Sequence, residues 1–407
     1  MKISMVIYGT RGDVQPMLAL ALELQKAGHE IILCAPPENE ELVKSYDCQF
    51  MAIGTSLKEK LAEISDKQSS PQTRPSARFM KQEITNQINQ LPEIIKDSDL
   101  VLAVGFVFGV AILAEYLGIT YRFMAFYPGI LGGSKNDPLS GRLLWRFGKG
   151  AMNIVLKGFI NKKRKEFGLS PISDVWASWM GDRVIVASFP ALGKVREGLD
   201  FDAVQTGYMF LPPKTGLPDV VKKFLDAGNP PVFIGFGSNP IHKPEQISQL
   251  LIETAQSVNQ RFIILKGWAG LTDTEEIEDC LFVDEVPYEL LFPRISVAVH
   301  HGGTGTMAAA AKAGIPQITF PFMADQFQNN AQIVKLGLGP KTCDFKKLSV
   351  YILSEAILKC ILHESYKKRA HEIANMIKGI NGTELTLKVI EDELLQIKQR
   401  KKSSSKK

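Results

Sequence analysis

The residues best suited to chemistry sit in short glycine-rich strings, each following an apolar run. The first is Gly9-Thr10-Arg11-Gly12-Asp13-Val14-Gln15-Pro16. Gly9 and Gly12 suit a tight turn and Pro16 suits the first position of a helix, which puts Asp13 beside a helix N-terminus. A carboxylate there either takes a proton from a hydroxyl or caps the helix, and position alone favours neither. Dinucleotide binding fits poorly. The GxGxxG spacing is absent, and the second strand ends in Ala35-Pro36-Pro37 where an acidic ribose ligand is needed.

The second string is His300-His301-Gly302-Gly303-Thr304-Gly305-Thr306, between the apolar run Val297 to Val299 and the alanine-rich Met307 to Ala313. Glycines allow close backbone approach, threonines supply hydroxyls, and a helix N-terminus offers free N–H groups at a positive dipole end. This is a phosphate cradle without the GxxxxGK[ST] of a Walker loop. A histidine here, His300 or His301, can donate to a diphosphate and stabilise the charge that grows as it leaves. Neighbouring strand residues face opposite ways, so the pair is a poor metal chelate. The competing reading is two internally satisfied histidines beside a packing turn.

After Phe320-Pro321-Phe322 come Asp325 and Gln326, an acceptor-only group and a mixed donor and acceptor, suited together to sugar hydroxyls; the alternative is that Asp325 caps the next helix. Gly237 and Ser238 close the run Pro231 to Phe236, where Ser238 either touches a phosphate or caps a turn.

These strings need strands and helices to hold them. At 407 residues the chain suits two domains of about 200 residues each. Strands are expected at Ile3 to Tyr8, Ile31 to Ala35, Leu100 to Val104, Tyr121 to Phe126 and Arg183 to Ala187. A second set runs Val232 to Gly235, Phe262 to Leu265, Leu281 to Val283, Val297 to Val299 and Gln317 to Phe320. Apolar runs alternating with helical periodicity indicate parallel α/β sheets. The first helix is placed at Pro16 to Ala27, with Gly28 as its C-terminal stop. Leu211 to Pro218 (LPPKTGLP) reads as the linker. The expected division is 1–212, 219–385 and a terminal helix with basic tail, 386–407, whose helix is compatible with packing back on the first domain. Ligands of such sheets bind outside the carboxyl ends of the strands, where all four strings fall.

Lys398, Arg400, Lys401, Lys402, Lys406 and Lys407 crowd the end of the chain and suggest a disordered tail. Residues 142–165 hold eight Lys or Arg and no Asp or Glu, interleaved with apolar side chains. Arg142 to Lys165 therefore reads either as a core-packed helix with a solvated basic face or as a contact for an anionic membrane surface. No nucleic-acid reader motif accompanies the charge. Five cysteines without CxxC spacing indicate neither a disulfide framework nor zinc. No leader pattern precedes the first strand, and the longest apolar stretch is shorter than the roughly 20 residues that span a bilayer. The expectation is a cytoplasmic protein, with or without peripheral membrane contact, needing no metal or other cofactor and no obligate protein partner.

Together, GTRGDVQP (Gly9 to Pro16), LALELQKAGHEIILCAPP (Leu20 to Pro37), PPVFIGFGS (Pro230 to Ser238), ILKGWAGL (Ile264 to Leu271), VPYELLFPRISVAVHHGGTGT (Val286 to Thr306) and AGIPQITFPFMADQFQNNAQIVKLGLG (Ala313 to Gly339) closely resemble the UDP-glycosyltransferase superfamily. The branches nearest in motif are the sterol glucosyltransferases and the glycopeptide and macrolide antibiotic glycosyltransferases. The resemblance implies an α/β fold of the GT-B type: two facing Rossmann-like domains with parallel sheets and a cleft between them. It implies Asp13, in the loop Gly9, Thr10, Arg11, Gly12, as general base for an acceptor hydroxyl. It places Ser238, His300 and Gly302, Gly303, Thr304, Gly305 and Thr306 on the donor diphosphate, Asp325 and Gln326 on the sugar, and Trp268 and Val286 around the nucleobase. Many relatives carry histidine where Tyr288 stands, and the histidine base of the plant enzymes is missing from this N-terminal loop.

The implied activity is inverting hexosyl transfer from a nucleotide diphosphate sugar, by default UDP-glucose, to a hydroxyl of a lipophilic small molecule. Competing activities on such a fold are a nucleotide-sugar epimerase, a phosphorylase, and a non-catalytic nucleotide- or lipid-binding module.

Overall fold

The computed structural model describes residues 1–66, 76–133, 136, 139–273 and 277–404. The chain forms two compact units. One comprises Met1–Leu57, Arg74–Leu211 and Asn381–Lys407; the other comprises Lys58–Thr73 and Pro212–Ile380.

The first unit is built on β1 (Lys2–Tyr8), β2 (Glu30–Ala35), β3 (Gln49–Ala52), β4 (Leu100–Gly105), β5 (Thr120–Ala125), β6 (Arg183–Val186) and β7 (Asp202–Gln205). They form one sheet in the order β3-β2-β1-β4-β5-β6-β7, every pairing parallel. Side chains of β1 alternate between two cores, Ile3, Met5 and Ile7 on one face and Val6 and Tyr8 on the other. Such double burial makes the central strands legible as continuous apolar runs. The edge strands β3 and β7 escaped that signal because they are short and carry partly exposed polar residues.

Two expectations for this unit need correction. The first helix runs Arg11–Lys26, not from Pro16, because Thr10 and Asp13 form a capping box that starts it earlier. Pro16 lies inside it and withholds one N–H from the carbonyl of Gly12, which is exposed. The basic tail is helical as far as Ser404, while Lys406 and Lys407 lie outside the described residues. This last helix, Gly382–Ser404, seats Ile390, Leu394 and Ile397 in the core that includes Leu18 and Leu20 of the first helix. Its buried Glu393 accepts from Arg122 at 2.8 Å and Arg183 at 2.6 Å.

The second unit contains β8 (Val232–Gly235), β9 (Phe262–Leu265), β10 (Cys280–Val283), β11 (Val297–His300) and β12 (Gln317–Thr319). The order is β10-β9-β8-β11-β12, again all parallel. In each sheet the strand order reverses beside a central pair, β1 and β4 in one and β8 and β11 in the other. Those reversals are where such sheets leave a crevice for a ligand. Among the described residues no helix is long and apolar enough to cross a membrane.

Candidate active site

The loop after β1 places Asp13 at the third position of the first helix. Its Oδ2 accepts from the Thr10 backbone N–H at 2.8 Å, and the Thr10 hydroxyl lies 3.5 Å away. Gly9 makes room for this, since a Cβ there would sit 2.2 Å from the same oxygen. Gly12 has no comparable duty: the nearest atom to a Cβ there is 3.7 Å away, and the residue is an ordinary exposed helical one. The cap thus holds one carboxylate oxygen and orients the side chain at the switch point. Arg11 lies half-buried beside it. Behind the loop, buried Tyr208 has its phenol pushed up by burial and then by the negative charge of Asp13.

An aromatic surface lies one strand away. Trp179 donates its indole N–H to the Gly105 carbonyl at 3.0 Å, and Gly105 runs against the backbone of Tyr8. Phe106, 40% exposed, stacks on Trp179 with rings 6.3 Å apart and 8° from parallel.

In the second unit the turn after β11 leads into the helix Thr304–Ala313, whose N-cap, Gly303, supplies no side chain to its first N–H groups. Gly302 adopts a φ of +90°, open to glycine at little cost. The turn is braced from behind. Asn329, 6% exposed, donates to the Gly302 carbonyl at 2.8 Å and reaches the Thr304 hydroxyl at 3.4 Å. Gly305 is half-buried and Thr306 buried within the helix's first turn.

The two histidines differ. His300 is fully buried; its Nδ1 accepts from the Gly302 N–H at 3.1 Å, so Nε2 carries the proton and donates to Gln317 Oε1 at 3.0 Å. With both nitrogens engaged inside the protein, His300 supports the turn from within, where the resemblance had implied that it faces the donor. The ring of His301 instead sits between Gly237 and Gly303, where a Cβ would come within 2.6 Å and 2.3 Å of it. Its Nδ1 is buried without a hydrogen-bond partner among the described residues. Burial, then the neighbouring His301, pushes His300 down to about 3, opposed by Gln317; burial pushes His301 down to about 4, opposed by the Gly235 backbone. Both are therefore neutral at pH 7.

Ser238 lies half-buried in the turn after β8, next to the Gly237 that holds His301. Asp325 and Gln326 open the helix Ala324–Lys335. Asp325 has its carboxyl pushed up by burial, opposed by its own and the Gln326 backbone N–H groups. Gln326 is largely spent internally: Oε1 accepts from the N–H groups of Phe322 and Met323 at 2.8 and 3.2 Å, and Nε2 donates to Asn239 at 3.3 Å. Its amide thus braces the start of the helix. Trp268 and Val286, both half-buried, follow β9 and β10 on the same edge of the sheet. Tyr288 stacks on Phe292 at 4.6 Å and packs edge-on against Phe233. The bracing residues Asn239, Gln317 and Asn329 went unnoticed in the sequence. Only Asn329 carried a signal, the polar cluster Gln328 to Asn330 inside an otherwise apolar region.

Residues 3–128 match the glycosyltransferase family 28 N-terminal domain, and residues 249–391 match the C-terminal domain of the erythromycin biosynthesis protein CIII-like family. The vancomycin aglycone glucosyltransferase of Amycolatopsis orientalis is 32% identical, covering 83% of this chain and 85% of that protein. The chain belongs to the glycosyltransferases. A sterol 3-beta-glucosyltransferase of Arabidopsis thaliana is 30% identical over 94% of this chain and 66% of its own length. Among solved structures, the glycosyltransferase VinC in complex with dTDP superposes with a TM-score of 0.70 at 17% identity, covering 98% of this chain and all of that one. The fold of this glycosyltransferase is thus GT-B, with Rossmann-like units carrying seven- and five-stranded parallel sheets.

Proposed function

We propose that this glycosyltransferase inverts configuration, moving a hexose from a nucleotide diphosphate sugar to a hydroxyl of a lipophilic small molecule without a metal ion. UDP-glucose is the first donor to test, with dTDP-sugars beside it because a structural relative holds dTDP. In the proposed single displacement, Asp13 takes the acceptor's hydroxyl proton as that oxygen bonds to the anomeric carbon. The bond from that carbon to the diphosphate oxygen breaks, and the electron pair leaves with the nucleotide. The uncapped N–H groups at Thr304 to Thr306, the helix dipole and the neutral His301 stabilise the departing charge.

The observation that carries this reading is a pair of glycine-rich loops at strand-order reversals, one closing on a carboxylate and the other left open to an anion. The aromatic surface at Phe106 and Trp179, beside the Asp13 loop, supports a lipophilic acceptor. The two named relatives are, by name, glucosyltransferases of the vancomycin aglycone and of sterols.

The test is a panel of UDP-glucose, UDP-GlcNAc and dTDP-sugars against pooled hydrophobic alcohols in EDTA, read by mass and by the anomeric configuration of the product. A new glycoside of inverted configuration is expected. Donor turnover that needs no acceptor points to an epimerase or hydrolase and overturns the proposal, and retained configuration overturns the mechanism.

A further inference from the structure

Of the two readings open to the segment Arg142 to Lys165, the core-packed helix with a solvated basic face does not fit the exposed side chains. Helix Leu139–Met152 passes through a π turn, Asn153–Lys157, into helix Gly158–Glu166. The inward side of this run packs normally, with Leu156 and Ile160 at 1% and 2% exposure. The outward side is apolar as well. Leu143, Phe147 and Ile154 recur at i, i+4 and i+11, on one helical face, and are 45%, 77% and 87% exposed; Val155 follows at 36%. Single exposed apolar residues are ordinary, but a row on one helix is not. A core-packed helix with a solvated basic face would have put lysines where Phe147 and Ile154 stand.

The cations divide into two groups. Lys149 pairs with Asp174, Lys163 with Glu166 and Arg164 with Glu115. Arg146, Lys157, Lys162 and Lys165 have no acidic partner among the described residues, and no Asp or Glu falls between 142 and 165. The side chains of Arg142 and Leu144 lie outside the description. Exposed aromatic and aliphatic side chains flanked by unpaired cations on long stems match a bilayer surface, where the apolar groups enter the acyl boundary and the cations stay among anionic headgroups. A protein partner would need acidic groups placed to meet four cations, and nothing in the segment sets such a register.

From this we infer that the face carrying Leu143, Phe147 and Ile154 docks on anionic membranes, holding the first unit at a lipid surface. The test is co-sedimentation of the full chain with phosphatidylcholine vesicles, with and without about one-third phosphatidylglycerol. Binding to the anionic vesicles should exceed binding to the neutral ones by about tenfold and weaken at about 0.5 M salt. Phe147→Ser with Ile154→Ser, which leaves every charge in place, should reduce binding about tenfold. Both side chains are exposed, so the melting temperature should hold, and a fall in melting temperature is checked by repeating the assay with Arg146→Ser and Lys157→Ser. Replacing Lys398, Lys401 and Lys402 by serine should leave binding unchanged.

The inference is overturned by equal binding of parent and the Phe147/Ile154 variant, by loss of binding in the tail variant alone, or by no anionic preference. Concentration-dependent dimers that vanish in the Phe147/Ile154 variant, without vesicle binding, would give the face to a second copy instead. Neither donor nor acceptor is present, so the outcome is independent of the transferase reading.

Discussion

The loop after β1 and the turn after β11 share one construction, a buried parallel strand, a glycine-rich bend and a helix N-terminus at a strand-order reversal. They finish it in opposite ways. In the first unit the helix end receives a side chain of the chain itself: Asp13 accepts from the Thr10 N–H, and Gly9 is small so that it can. In the second, the N-cap is a glycine, and the nearby polar side chains Gln317, Gln326 and Asn329 are turned inward to brace the backbone. A helix N-terminus attracts negative charge, and the proposed diphosphate site falls at the end whose N-cap supplies no side chain.

The largest effect should come from removing the carboxylate. Asp13→Asn is expected to lower turnover about 10²- to 10⁴-fold while nucleotide diphosphate affinity by calorimetry changes less than about threefold. Turnover close to that of the parent would leave Asp13 as a cap only. Next, His301→Ala should cost about 10²-fold in turnover with donor, the usual effect of losing a donor to developing negative charge. An equal loss in His300→Ala together with a lower melting temperature, and none in His301→Ala, would reverse the roles assigned to the two rings.

Gly303→Ala tests the open helix end. Its new methyl must move His301, and nucleotide affinity should weaken about tenfold, readable by titration calorimetry. Acid stability should follow the histidines. Their folded values of about 3 and about 4 lie below the ordinary 6.5, so the unfolded chain takes up protons first. Their contribution is fully present above about 6.5 and is lost as pH falls toward 4 and 3. Scanning calorimetry should show the melting temperature dropping between pH 7 and 5, and a flat profile would contradict the burial. The smallest effect is expected of Gly12→Ala, which meets nothing closer than 3.7 Å. It should raise helix stability by up to about 1 kcal/mol with turnover unchanged.

Sequence carried the interior of both sheets and little of their margins. Strands buried on two faces, such as Ile3 to Ile7 or Val297 to Val299, announce themselves by unbroken apolar runs, while β3 and β7 do not because one side of an edge strand meets water. Pro16 misled because its preference for a helix start is only statistical, and a capping box of Thr10 and Asp13, which starts the helix five residues earlier, outweighed it. The strings holding Asp13 and the Gly302 to Thr306 turn were legible from glycine spacing. Which of two adjacent histidines points inward was not, since that depends on Gln317, a residue of the neighbouring strand. The same holds for Gln326, whose amide is engaged by backbone N–H groups that no pattern of residue types reveals.

The return of the chain to the first unit for its last helix bears on how this enzyme can be dismantled. A fragment ending at the linker omits the strip of Ile390, Leu394 and Ile397, and it strands Arg122 without the buried carboxylate of Glu393. Chimeras that graft a foreign second unit onto this first unit therefore need two splice points, near 211 and near 381, with residues 381–404 kept from the same parent as residues 1–211.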